Sequence, residues 1–257
     1  MRYAFGDTKP AVDRLRLVHE VFSESSQRFM LEAVSERPSL AADLGCGPGY
    51  TTHLLANTLS PYHTVGLDNS DNFVRLAQTT ASKTVSFHLH DVTTRPFPGA
   101  PYDLMFSRFV LTHLPSPETV VHLWGTQLKL RGLLLAEEVE YIDTTNPVLN
   151  SYLKILQATL ARQDNCLYIG PRLHQIADSA AIKQRSSEVR TVTVSASRAA
   201  AMFHMNLRLW KNHDYVQRAH EQAGLDELER GLVSIASGSG DANPVQWGLR
   251  HIVMERG

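Results

Sequence analysis

Five short apolar runs, Leu40 to Leu44, Thr64 to Leu67, Val85 to Leu89, Leu104 to Phe106 and Leu133 to Val139, are separated by stretches with helical spacing. Each run has strand length and is nearly continuous in apolar side chains, the pattern of a strand covered on both faces. Parallel neighbours can be reached only through long crossover connections, so strands alternating with helix-length segments point to an α/β chain: a mostly parallel sheet between helical layers. The runs place the core of this arrangement within residues 36–145.

The flanks read differently. Ala11 to Val34 carries Leu15, Val18, Val21 and Phe22 at helical spacing, which predicts an N-terminal helical cap within residues 1–35 that packs on the core or covers its ligand cleft. After residue 145, Asn146-Pro147 opens a helix running through Arg162, and Gly170-Pro171 opens a short one. Glu188 to Ala196 alternates in strand fashion and Val245 to Met254 is a second β-rich run, with a helical insertion from about 198 to 237 between them. The expectation is one domain over 1–257, with seven strands: five parallel, then an antiparallel edge pair. Residues 146–257 would supply acceptor-side helices, the insertion and the terminal strands.

A chain of 257 residues with 43% hydrophobic and 20% charged residues suits one large soluble domain. No apolar run approaches the ~20 residues of a membrane span, and the first residues lack the pattern of a secretory signal, so no membrane association and a cytoplasmic location are expected. Lys and Arg (25) nearly balance Asp and Glu (26), which offers no field to gather a polyanion; no nucleic-acid partner is expected. Cys46 and Cys166 are far apart and the twelve histidines are scattered without ligand spacing, so we expect free thiols and no metal.

The most informative segment is Asp43-Leu44-Gly45-Cys46-Gly47-Pro48-Gly49-Tyr50, directly after the first apolar run and before a helix. Alternate glycines permit tight turning and let a ligand lie against main-chain amides at a strand's carboxyl end. The Gly-x-Gly-x-x-Gly spacing of a dinucleotide site is absent. Asp68 ends the second run about 20 residues beyond the loop, where a carboxylate can accept from ribose hydroxyls, with Asn69 beside it. Asp91-Val92 ends the third, and Arg95-Pro96-Phe97-Pro98 precedes Tyr102-Asp103-Leu104-Met105-Phe106.

Together these segments resemble class I S-adenosylmethionine-dependent methyltransferases over about residues 35 to 140. The resemblance implies a Rossmann-like fold with S-adenosyl-L-methionine as cofactor. It implies that Gly45, Gly47 and Gly49 pack against the methionine and ribose portions, and that Asp43 helps to orient the ammonium end. Asp68 would take the ribose, Asp91 the adenine amino group and Val92 the ring face. Beyond these segments it offers no residue-specific match.

On the acceptor side, the carboxyl end of the fourth strand leads into Ser107-Arg108-Phe109-Val110-Leu111-Thr112-His113, which places Ser107 and Arg108 beside the cofactor's methionine end. Arg108 can meet the cofactor carboxylate or the acceptor, or simply tie the loop. His113 stands where related enzymes often carry a His after a Glu, but Thr112 replaces that Glu, so it reads as either a pocket base or a packing histidine. Glu138 and Tyr141 at the end of the fifth strand are candidates for acceptor chemistry against the alternative of a solvated edge. Phe203 and Trp210 in the insertion, and Tyr3 and Phe5 at the N-terminus, are candidate apolar walls; for the insertion, plain helix core is the competing reading. The function expected is methyl transfer to a small, partly apolar molecule. The alternatives are a methyltransferase of protein or nucleic acid, or a protein of this fold that binds the cofactor without transferring the methyl.

Overall fold

The computed structural model describes residues 7–238 and 243–257. Helix α1 (Lys9–Ala33) precedes β1 (Leu40–Leu44), α2 (Tyr50–Leu59), β2 (His63–Asp68), α3 (Asp71–Gln78), β3 (Val85–Leu89) and β4 (Tyr102–Arg108). A 3₁₀ turn, Leu111–His113, leads to α4 (Pro117–Gly125), β5 (Leu128–Asp143), α5 (Pro147–Ala161) and α6 (Gly170–His174). The chain continues through β6 (Lys183–Val194), α7 (Ala196–Trp210), α8 (Asp214–Ala219) and α9 (Gln222–Ala236), and closes with β7 (Val245–Glu255).

These strands form one seven-stranded sheet in the order β3-β2-β1-β4-β5-β7-β6. Strands β1 to β5 pair in parallel, and β7 is antiparallel to both β5 and β6. The expected edge pair is therefore present, with the last strand of the chain inserted inside it, so β7 alone runs against the others. The order reverses between β1 and β4, and the crevice outside the carboxyl ends at such a switch is where open α/β sheets bind ligands.

Apolar runs located the strands, but not their full lengths. β6 begins at Lys183, not Glu188, because its first turns are polar: an edge strand is held by its ladder to β7 and carries the charges that discourage further pairing. β5 runs on to Asp143 because β7 pairs with it past a register shift between Val139 and Tyr141. Helix starts follow local chemistry. Asn146 Oδ1 accepts the amides of Val148 (2.9 Å) and Leu149 (3.2 Å) ahead of Pro147, satisfying donors that α5 cannot satisfy itself.

Two helical regions have different partners. α1 packs against α2 and α7, and its Ser26, Phe29 and Met30 are buried. The insertion α7–α9 packs with α5 and the far ends of β5 and β7 around Tyr152, Phe203, Trp210 and Trp247. Phe203 stacks on Tyr152 with ring centroids 4.3 Å apart. Among the described residues no helix is long and apolar enough to cross a membrane, and no group of His, Cys, Asp or Glu has the arrangement to hold a metal ion.

Candidate functional site

The turn from β1 into α2 is built by its glycines. Gly45, Gly47 and Gly49 have φ of +69°, +52° and +92°, a region that costs a residue with a Cβ of the order of 1–2 kcal/mol. The three differ in what surrounds them. A Cβ on Gly45 would lie 2.5 Å from Val110 Cγ2, and one on Gly49 2.9 Å from the Phe87 ring, so both are also sterically closed. At Gly47 a Cβ would meet only Leu15 Cδ1 at 3.5 Å, so its limit is conformation and the open space in front of it.

Beneath the loop, Asp43 is buried and accepts the hydroxyls of Thr51 (2.6 Å) and Thr52 (2.7 Å), which ties the first turn of α2 to β1. Burial raises its pKa to about 6 against the opposing pull of those hydroxyls. Asp68, at the end of β2, holds the loop from the other side. Its Oδ2 accepts the Gly47 amide at 2.8 Å and its Oδ1 the Ser70 amide at 2.8 Å; burial raises its pKa, and these bonds act against the rise. Asp91 accepts both the amide (2.9 Å) and the hydroxyl (2.7 Å) of Thr93. Burial works against its ionisation, but the bonds from Thr93 outweigh it and the pKa falls.

All of this surrounds one cavity of about 440 Å³. Gly45, Gly47, Asp68, Asn69, Asp91 and Val92 line it on the β1–β3 side, with Arg108 and His113 on the β4 side. Asp43, Gly49 and Ser107 lie behind this wall; Ser107 is fully buried in β4 between Leu44 and Ala136. Four further residues contribute, of which Leu15 and Val18 belong to the helical stripe of the N-terminal cap while Arg14 and Asn165 carried no local signal in the sequence. Arg14, Leu15 and Val18 of α1 roof the cavity, and Asn165 reaches it from the segment after α5, where the Thr112 hydroxyl donates to the Cys166 carbonyl.

At the β4 end a buried polar network replaces apolar packing. Arg108 Nη1 donates to Ser26 Oγ at 2.9 Å, Ser26 Oγ lies 2.9 Å from Glu137 Oε1, and His251 Nε2 lies 2.9 Å from Glu137 Oε2. Phe29 stacks on His251 at 4.2 Å, so α1 is fixed to β5 and β7 at this point. Burial lowers the Arg108 pKa while Glu137 and Asp43 hold it up. His113 is pushed down to about 3, first by burial and then by Arg14, which makes it a neutral imidazole and a poor proton acceptor.

The remaining candidates fall outside the cavity. Glu138 is fully buried, and its Oε1 accepts the amides of Val110 and Leu111, each at 2.7 Å. It clamps a turn strained at Phe109 (φ +58°), so strand alternation sends this carboxylate to backbone donors and not to an acceptor. Tyr141 is 38% exposed; its hydroxyl lies 2.8 Å from Thr191 Oγ1 and its ring covers Gly248 on β7. Phe203 and Trp210 belong to the separate core of α5 and α7–α9, a correction to the reading of them as cavity walls: their apolar area is spent on Tyr152 and its neighbours. Of the cap, α1 covers the cavity and α7–α9 do not. Tyr3 and Phe5 lie outside the described residues.

Residues 41–132 match the methyltransferase domain family. Malonyl-[acyl-carrier protein] O-methyltransferase of Bacillus cereus is 27% identical over 133 residues, which are 51% of this chain and 49% of that protein. Trans-aconitate 2-methyltransferase of Methylobacterium radiotolerans is 37% identical over 86 residues, 34% of this chain and 32% of that one. The chain thus spans half or less of the length of these relatives. Among solved structures, the [4+2]-cyclase SpnF superposes with a TM-score of 0.58 over 91% of this chain and 81% of its own at 17% identity, a likeness of fold.

Proposed function

Because this chain belongs to the class I S-adenosylmethionine-dependent methyltransferases by its fold and the domain match over residues 41–132, we propose that it transfers a methyl group from that cofactor to a small-molecule acceptor in the cavity beneath α1. The observation that carries this reading is the Asp68–Gly47 bond, which draws a glycine loop with no side-chain bulk and a strand-end carboxylate into the wall of one cavity. The donor set fits the cofactor. The open face of Gly47 leaves room for a ligand against the main chain, Asp68 stands where two ribose hydroxyls can donate, and Asp91 with Val92 meets the adenine amino group and ring face. Arg108 offers a guanidinium to the methionine carboxylate, and its other side is anchored on Ser26.

Bound S-adenosylmethionine supplies a methyl group on a sulfonium, an electrophile that carries its own leaving group. The work left to the protein is positioning and exclusion of water: α1 roofs the site and the β4 turn holds the acceptor beside the methyl. Neither candidate base is set up for proton abstraction: His113 is held neutral, and Glu138 lies outside the cavity with its carboxyl turned to backbone amides.

Calorimetry with S-adenosylhomocysteine tests the cofactor site, and incubation of the protein with methyl-labelled cofactor and small-molecule extracts tests transfer. Binding with label passing to a small product is expected. Binding with no label passed to any acceptor would point to a non-methylating protein of this fold, and no binding would overturn the reading.

A further inference from the structure

We propose that His251 is a positioning residue for the cofactor: by engaging Glu137 it keeps that buried carboxylate from competing with the methionine carboxylate for Arg108. The inference rests on the methyl-transfer reading of the cavity. It adds a residue of β7 that does not line the cavity itself.

Arg108 ends β4 in the cavity wall, and two buried carboxylates, Glu137 and Asp43, bear on its charge. Where water is excluded such charges attract strongly, so an acid lacking donors of its own would capture the guanidinium. Among the described residues Arg108 makes an ion pair with neither. Its Nη1 donates to the neutral Ser26 hydroxyl at 2.9 Å. Each acid has other donors to satisfy it. Asp43 accepts the hydroxyls of Thr51 and Thr52. Glu137 has Ser26 Oγ 2.9 Å from Oε1 and His251 Nε2 2.9 Å from Oε2. The Ser26 hydroxyl carries one proton, which the Phe22 carbonyl at 3.1 Å also claims, so His251 is the stronger of the two partners.

The sheet puts the imidazole there. Glu137 and His251 are directly opposite in the antiparallel β5–β7 ladder, so their side chains leave the same face, beneath α1. Phe29 of α1 stacks on the imidazole with centroids 4.2 Å apart and 14° between the planes, which holds the ring in place. On its other side His251 is in register with Glu188 of β6, but that carboxylate is exposed and paired with Arg190. The buried acid is thus the one His251 serves. Lone pairs on both atoms would repel at 2.9 Å, so Nε2 carries a proton whether the ring is neutral or charged. The contact is a close approach of opposite polarity, not an aligned hydrogen bond. With Glu137 so occupied, the guanidinium's remaining N–H groups are left to the cofactor.

The test compares two ligands by calorimetry: S-adenosylhomocysteine, and 5′-methylthioadenosine, which keeps the adenosine and the thioether but has no carboxylate. His251→Phe retains a ring under Phe29 and removes the N–H. It should weaken S-adenosylhomocysteine about tenfold and leave 5′-methylthioadenosine within about twofold. Glu137→Gln removes the competing charge and keeps a carbonyl acceptor. Added to His251→Phe, it should return S-adenosylhomocysteine to within about threefold of its wild-type affinity. A packing role predicts the reverse, since two buried changes would then do more damage than one. Should His251→Phe not fold, His251→Gln, which retains a donor, takes its place, with a smaller loss of the same selectivity expected. Equal weakening of both ligands, no weakening of either, or a loss that Glu137→Gln does not repair would overturn the proposal. Failure of the wild-type protein to bind S-adenosylhomocysteine at all would remove the methyl-transfer reading as well. Wild-type protein that binds it no more tightly than 5′-methylthioadenosine removes only the role of His251.

Discussion

Asp68 and Gly47 are 21 residues apart in sequence and joined by a 2.8 Å bond from the Gly47 amide to Oδ2. A second bond, from the Ser70 amide to Oδ1, fixes the carboxylate's other oxygen. The group proposed to hold the ribose is thus also a strut of the glycine loop: the β1 and β2 ends are set relative to each other before any ligand arrives. Preorganisation of this kind lowers the ordering cost of binding.

Asp68→Ala removes an acceptor from two backbone amides and from the ribose together. S-adenosylhomocysteine affinity measured by calorimetry should fall by about 1.5–3 kcal/mol or more, at least tenfold. Unchanged affinity in a folded variant would restrict Asp68 to local turn chemistry.

The glycines should separate by mechanism. Gly45→Ala forces a Cβ against Val110 in a left-handed backbone, whereas Gly47→Ala carries the backbone cost and little contact. Denaturant unfolding should find Gly45→Ala the less stable of the two by about 1–3 kcal/mol. Gly47→Val, whose branches extend into the cavity, should lose cofactor binding with most of its stability kept. Equal stabilities for the two alanine variants would mean that Val110 yields.

The local parts of the fold were legible and the long-range parts were not, for a physical reason. Each strand of the first half announces itself in its own apolar run, and Asp43, Asp68 and Asp91 stand at fixed offsets from strand ends, so their placement needs only chain geometry. Arg14 and Asn165 enter the same cavity because α1 crosses the sheet's carboxyl edge and because Thr112 holds the segment at Cys166. Neither event leaves a mark in the neighbouring residues. Phe203 and Trp210 failed differently: an aromatic stripe on a helix has the same sequence whether it faces a ligand or another helix, and here α5 supplies the other helix. For Glu138, alternation sends the side chain inward but is silent about the strained turn whose amides it meets.

Trp210 therefore serves as a control. Its truncation to alanine empties a packed site beside Tyr152 and should cost about 3–5 kcal/mol of stability. S-adenosylhomocysteine affinity of the folded variant, measured well below its melting temperature, should be unchanged. A selective loss of acceptor binding with stability intact would return this residue to the cavity.

Glu138 makes a pH-dependent prediction. Burial, opposed by the amides of Leu111 and Val110, raises its pKa from 4.5 to about 8. An acid with a raised folded-state pKa contributes stability that is full below its unfolded value and is lost as pH climbs through the folded one. Glu138→Gln keeps the carbonyl acceptor and does not titrate, so its denaturation midpoint should gain on that of the wild type from about pH 4.5 to about pH 8 and hold that lead above it. Parallel profiles over that range would place the Glu138 pKa near its ordinary value.

The Ser26 hydroxyl stands between Arg108 and Glu137, and the network predicts that it acts on the cofactor only through Arg108. Ser26→Ala deprives the guanidinium of an acceptor and the buried carboxylate of a donor, which should cost about 1–3 kcal/mol of stability. It should also weaken S-adenosylhomocysteine binding, because an untethered guanidinium must be ordered when the cofactor's carboxylate arrives. Arg108→Met removes the charge itself and should weaken binding further. The decisive measurement is the double-mutant cycle: with Arg108 already replaced, Ser26→Ala should have no remaining effect on affinity, giving a coupling of about 0.5–3 kcal/mol. Stability alone would not separate this from ordinary packing, since Ser26 lies fully buried on α1 and any change there is felt. Additive losses of affinity would show that Ser26 shapes the site through α1 and the roof residues Leu15 and Val18, with Arg108 placed independently of it.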